Sequence, residues 1–203
     1  NGKRIKALGS RDRVEIPADY REISLDGYLI APGLIDQHVH GCGGAEVMSG
    51  KADALRDMAR FQAVHGVTSF LATTMSGSRD QLVAVARAYH ELQEDNYKGA
   101  RCLGLHLEGP YLSNRFSGIH SPYHLRSATL EEVTTLNRIS GNGIKMVTMA
   151  PEVPGVLELA KELSNAGIIC SIGHSDADYA TAQKAVDEGF SCVTHCFNGV
   201  RPF

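Results

Sequence analysis

No apolar run in this 203-residue chain approaches the length of a membrane span, and no signal-peptide pattern opens it. Excess charge of either sign is missing too: 20 Lys and Arg against 23 Asp and Glu leave a formal net charge of -3. That balance argues against a nucleic-acid footprint and against a membrane-surface patch. There is no Cys-x-x-Cys pair. The five cysteines, Cys42, Cys102, Cys170, Cys192 and Cys196, are odd in number and irregularly spaced, which suits reduced thiols in a cytoplasmic protein better than a disulfide framework. The chain also lacks internal repeats and low-complexity tracts. What is present is an ordinary globular composition, 43% hydrophobic and 21% charged, with enough residues for one sizeable core.

The chain changes character at Pro32. Residues 1–31 read as short β segments, 4–8, 14–16 and 28–30, separated by the turn signals Gly9-Ser10 and Asp26-Gly27. From residue 32 to 203 strand and helix patterns alternate. Strands are expected at 34–40, 67–73, 101–108, 143–149, 168–174 and 191–197, with amphipathic helices near 51–64, 79–94, 129–139, 154–166 and 176–188. Ser78 and Asp176 are the expected N-caps, and Gly66, Gly167 and Gly189 stand where C′ glycines belong. This rhythm calls for a parallel sheet. The fold class is therefore α/β: about the first six strand–helix units of a TIM-type (β/α)8 barrel, preceded by part of a small β domain. The alternative is an open doubly wound sheet, which would gather its site at one switch point. Candidate ligands spread over the first, third, fifth and sixth strand ends are easier to unite in a closed ring. An unclosed barrel leaves two sheet edges unpaired, so this chain alone is expected to be inactive.

Four strand ends carry the chemistry. His38 and His40 are two apart on a strand and share a face, as does Asp36, so both imidazoles can reach one ion. Alone, this pair is a weak signal. Glu108 ends the third strand on the same face as His106; a carboxylate there must be paired, hydrated or metal-bound. A bridge to Lys or Arg is the plain alternative, but no strand-end Lys stands out as its partner. His106 lies one layer deeper and takes a supporting role at most. His174 follows Gly173, a glycine that removes bulk beside the imidazole, and His195 ends the sixth strand in the same way. Each could be a satisfied structural histidine. Together, Glu108, His174 and His195 at equivalent strand ends form a usual ligand set for a hydrolytic Zn²⁺ or Fe²⁺ site. Asn198 and Gly199 follow in the next loop and can bind a phosphate or sugar oxygen, or simply make a turn. His120 sits in the long 111–126 loop, a length usual for functional or mobile loops. Its position suits either a carbonyl contact or solvent. His65, His90 and His124 receive no role.

The segments PGLIDQHVHGCGG, LGLHLEGPYL, SGIH, VTMAPE, NAGIICSIGHSDA and THCFNG, in that order, closely resemble the N-acetylglucosamine-6-phosphate deacetylase family of the amidohydrolase superfamily. The resemblance covers about residues 31–203. It implies a (β/α)8 barrel with a β-sandwich built from both chain ends, of which residues 1–31 would be part. It implies a metal, Zn²⁺ first and Fe²⁺ as the alternative, held by Glu108, His174 and His195. With His38 and His40 both intact, it allows a second ion bridged by Glu108. His120 matches the position that contacts the substrate carbonyl, and Asn198 and Gly199 match a stretch that contacts the phosphosugar. Gly199 stands where the family commonly has alanine. The family's general acid/base aspartate falls beyond Phe203. Homodimers are common in the family. The implied reaction is hydrolysis of N-acetylglucosamine 6-phosphate to acetate and glucosamine 6-phosphate. Competing readings are another amidohydrolase, such as a different N-acetyl sugar deacetylase or a deaminase, and a non-catalytic protein that binds metal or a sugar phosphate.

Overall fold

A computed structural model describes residues 4–202. The chain divides into two units, Asn1–Pro32 and Gly33–Phe203. In the first, the three segments expected as strands form none among the described residues. The backbone there closes turns instead: Arg13 donates to the Ser10 carbonyl at 2.9 Å and Tyr28 to the Leu25 carbonyl at 2.9 Å. β-branched residues favour extended backbone, but a strand exists only with a ladder partner, and no ladder forms on these segments among the described residues.

The second unit contains β1 (Leu34–Val39), β2 (Gly41–Cys42), β3 (Ala45–Glu46), α1 (Ala52–Val64), β4 (Val67–Thr74), α2 (Arg79–Gln93), β5 (Arg101–Glu108), α3 (Leu130–Ile139), β6 (Ile144–Met149), α4 (Val156–Asn165), β7 (Ile169–Ile172), α5 (Tyr179–Asp187) and β8 (Phe190–Val193). β2 and β3 pair as a small hairpin that the sequence pattern does not announce. The other six strands form one sheet in the order β1-β4-β5-β6-β7-β8, parallel at every pairing. Chain order and spatial order coincide. A doubly wound sheet reverses its order at a switch point; this one never does, so the sheet is the arc of a barrel.

The helices cover one face of that arc. The core lies between the layers, with Leu55 and Met58 of α1, Phe70 of β4, Leu82, Val85 and Leu92 of α2, Ile144 of β6 and Leu159 of α4 all buried. Helix ends follow local chemistry. Ser78 closes a capping box on α2, its Oγ accepting from the Gln81 N–H at 3.2 Å while Gln81 Oε1 accepts from the Ser78 N–H at 2.9 Å. Asp176 does not cap α5. Asp178 does, accepting from the Thr181 N–H at 2.8 Å, because the Asp176 carboxylate is engaged by Arg115 and Arg201.

One irregularity positions the site. Asp36 pairs with Phe70 and Val39 with Ala72, so β1 spends three steps where β4 spends two. This bulge flips the side-chain alternation. Asp36 consequently turns to the helical layer, where its Oδ2 accepts from Gln62 of α1 at 3.0 Å. It does not share the face of His38 and His40, contrary to the strict two-residue period.

Candidate metal centre

Glu108 ends β5 on the inner face of the arc and is 2% exposed. Its two carboxylate oxygens face different groups. Oε1 lies 3.2 Å from His174 Nε2 and 3.2 Å from His195 Nε2, and those nitrogens are 3.1 Å apart. Oε2 lies 3.3 Å from His38 Nε2 and 3.0 Å from His40 Nε2, themselves 3.2 Å apart. His120 Nε2 stands 3.3 Å from Oε2. All six expected side chains meet here, in an open cleft of about 510 Å³ that Ile119 also lines. The partners of Glu108 are imidazoles rather than the Lys or Arg of an ordinary salt bridge.

Backbone groups sort these rings. The Nδ1 atoms of His174, His195 and His40 lie 2.7, 2.9 and 3.2 Å from the carbonyls of Phe116, Asn198 and Thr73. A carbonyl only accepts, so each Nδ1 carries the hydrogen, and in the neutral ring each Nε2 then presents a lone pair to Glu108. His120 is the reverse. Its Nδ1 accepts from the Ser76 N–H at 3.1 Å, with Ser76 Oγ at 2.9 Å. The neutral ring therefore holds its hydrogen on Nε2, a buried atom 3.3 Å from Glu108 Oε2 that makes no well-aligned hydrogen bond. These three rings can serve as ligands; His120 instead turns an N–H toward the cluster.

The donor set fits a divalent ion. Bare lone pairs converging on a carboxylate oxygen repel unless a cation lies among them. Ligand atoms bound tetrahedrally at about 2.0 Å stand about 3.3 Å apart, close to the 3.1–3.2 Å spacing in the Glu108–His174–His195 group. Zinc and ferrous ions both accept such ligands. Electrostatics points the same way. Burial pushes the Glu108 carboxyl up, but the imidazoles closing on it, His120 first and then His174, His38 and His40, outweigh that and hold the group well below the usual carboxylate range. Burial likewise lowers His174, yet Glu108 and the Phe116 carbonyl raise it overall. His106, pushed down to about 4 by burial and then by His38, stays neutral at neutral pH and points away from the cluster to Thr148.

Residues 29–199 match the amidohydrolase family. The chain belongs to that family. It is 38% identical over 172 residues to N-acetylglucosamine-6-phosphate deacetylase of Vibrio furnissii, covering 85% of this chain and 43% of that protein. It is 33% identical to N-acetylgalactosamine-6-phosphate deacetylase of Escherichia coli O157:H7, covering 86% and 46%. The crystal structure of N-acetylglucosamine-6-phosphate deacetylase from Pasteurella multocida superposes with a TM-score of 0.83 at 32% identity, over 91% of this chain and 48% of that one. This amidohydrolase chain thus spans about half the length of the curated relatives it matches.

Asn198 and Gly199 lie in the loop after β8, beside His195. Asn198 is exposed, and its backbone serves the His195 ring and the turn. A Cβ on Gly199 would stand 3.3 Å from His174 Nδ1 and 3.4 Å from His195 Cε1, at a φ of +63°. Ser76, which holds His120, escaped the sequence reading because its contact is 44 residues distant. The role of Gly173 also differs from expectation: a Cβ there would meet Thr148 Cγ2 at 2.6 Å and Thr194 Cβ at 2.9 Å, so the glycine clears room for buried threonines rather than for the imidazole.

Proposed function

We propose that the protein is a metal-dependent deacetylase of N-acetylglucosamine 6-phosphate, yielding glucosamine 6-phosphate and acetate. The observation that carries this is the sorted cluster on Glu108: lone pairs from His174, His195 and His40 beside a single Nε2–H from His120. Glu108, His174 and His195 would hold the first ion, Zn²⁺ with Fe²⁺ as the alternative. His38 and His40 with the other Glu108 oxygen would hold a second. A divalent ion supplies Lewis-acid polarisation of the acetyl carbonyl and of the attacking water. His120 donates its Nε2–H to the carbonyl oxygen as negative charge develops there. Asn198 and the backbone of Gly199 hold the phosphosugar at the mouth. Taking the water proton and returning it to the leaving amine falls to a general acid/base aspartate, a role the family implies and to which no residue of this chain is assigned. The same reading has a homodimer working in the cytoplasm.

A second substrate reading rests on the E. coli O157:H7 relative, whose name specifies the galactosamine epimer. The metal-loaded full-length protein separates the two. Acetate release from N-acetylglucosamine 6-phosphate well above that from the galactosamine epimer and from the unphosphorylated sugar is the expected outcome. Release from none of them, with deamination of a base instead, refutes the proposal. Metal analysis of the same sample identifies the ion and counts it.

A further inference from the structure

A line of buried side chains crosses the sheet interior just below the donor cluster. His106 Nδ1 lies 3.0 Å from the Gln37 carbonyl and so carries the hydrogen. Its Nε2 must then accept, and Thr148 Oγ1 donates to it at 2.7 Å. With its hydrogen spent, Thr148 accepts from Thr194 Oγ1 at 2.7 Å, and Thr194 accepts from Ser171 Oγ at 2.7 Å. The direction is forced from one end to the other: Ser171 to Thr194 to Thr148 to His106 to Gln37. These four side chains are between 0% and 5% exposed, so each link lacks water as a substitute partner.

The line ends beside the ligands. Gln37 lies in the β1 bulge and immediately precedes His38. The His38 ring stands edge-on to His106, with centroids 4.8 Å apart at 71°. His40, His174 and His195 each have their own carbonyl on Nδ1. The described contacts give His38 no such carbonyl; its ring packs against His106 at 4.8 Å and, from the cluster side, against His40 at 5.0 Å and His195 at 5.7 Å, so His106 is its support from below.

We propose that Thr148 is a positioning residue for the His38–His40 half of the centre. Through His106 it fixes the bulge and the His38 ring, so a second ion depends on Thr148 far more than the first, whose rings are secured by the Phe116 and Asn198 carbonyls although Thr194, bonded to Thr148, precedes His195. This rests on the two-ion reading above.

Thr148→Val removes the donor at nearly constant shape, and Thr148→Ser keeps it. The measurement is a calorimetric Zn²⁺ titration of the metal-free full-length protein, repeated with Co²⁺ to read each site by its visible spectrum. The wild type should take two equivalents. Thr148→Val should keep the first affinity and lose about 10–100-fold in the second, the usual effect of removing a group that orients a ligand, and Thr148→Ser should restore it. Two unchanged affinities in Thr148→Val, or equal losses at both sites, overturn the role of Thr148. A wild type that takes one ion overturns the two-ion reading itself.

Discussion

Adding one methyl group at Gly173 tests the interior on which the site stands. The new Cβ of Gly173→Ala would lie 2.6 Å from Thr148 Cγ2 and 2.9 Å from Thr194 Cβ, closer than carbon atoms tolerate. Neither neighbour can swing aside freely, because both are buried and bonded to each other at 2.7 Å. Overpacking a close-packed interior costs about 1–3 kcal/mol, and loosening the Thr148–Thr194 hydrogen bond adds about 1 kcal/mol. The sum is about 3 kcal/mol, which for a unit of this size lowers Tm by roughly 6–12 °C. The geometry also predicts a sign reversal. Thr148→Ser alone removes a buried methyl and costs about 0.8 kcal/mol. In the Gly173→Ala background the same change removes the atom that clashes, and it should stabilise, giving a coupling of about 1 kcal/mol or more. The assay is thermal and urea unfolding of the four proteins in the double-mutant cycle, free of metal. A Gly173→Ala Tm within about 1 °C of wild type, or strict additivity with Thr148→Ser, refutes the reasoning.

Glu132 supplies a pH prediction. Burial pushes its carboxyl up, but Arg126, bonded at 2.6 and 3.0 Å, outweighs that and holds it below its ordinary value. The unfolded chain therefore binds the proton first, near pH 4.3, and the pair's contribution is present above that pH and lost as pH falls toward the lower folded value. Glu132→Gln should flatten this acid limb in urea unfolding. It should also cost about 2–3 kcal/mol at neutral pH, less than the 3–5 of a fully buried pair, since the Arg126 side chain is 25% exposed. An unchanged limb contradicts the assignment. His120→Ala should leave metal content intact and lower kcat about 10²–10³-fold, as expected of a donor rather than a ligand. Loss of the ion would place His120 among the ligands instead.

The fold was legible because a parallel barrel repeats one simple unit. Strand and helix patterns place β4, β5 and α2 to within a residue or so, and the cap at Ser78 follows from four consecutive side chains. Misreadings begin where the partner is distant. The β1 bulge belongs to the pairing with β4, so the two-residue period alone cannot show that Asp36 faces the helical layer. Asp176 has the chemistry of a cap, but Arg115, 61 residues away, and Arg201 claim it. Thr148, Thr194 and Ser171 look like ordinary strand residues until the sheet sets their hydroxyls end to end.

The same distinction runs through the site. Six donors at strand ends and in one loop could be named from the sequence, but nothing in six imidazole and carboxylate side chains says which nitrogen is bare. That is set by the carbonyls of Phe116 and Asn198 and the N–H of Ser76, held in place by loops, and by the carbonyl of Thr73 at the end of β4. His174 and His195 show what holding them requires. Their φ angles, 50° and 28°, lie in the left-handed region, where a non-glycine residue costs about 1–3 kcal/mol. The strain persists because neighbouring loops over-determine it: Ser113 N–H bonds the His174 carbonyl at 2.9 Å, Ser175 N–H the Gly199 carbonyl at 3.0 Å, and Arg201 N–H the Ser175 carbonyl at 3.0 Å. Three loops thus lock one another, and the Nε2 atoms of His174 and His195 face Glu108 because the backbone around them has nowhere else to relax.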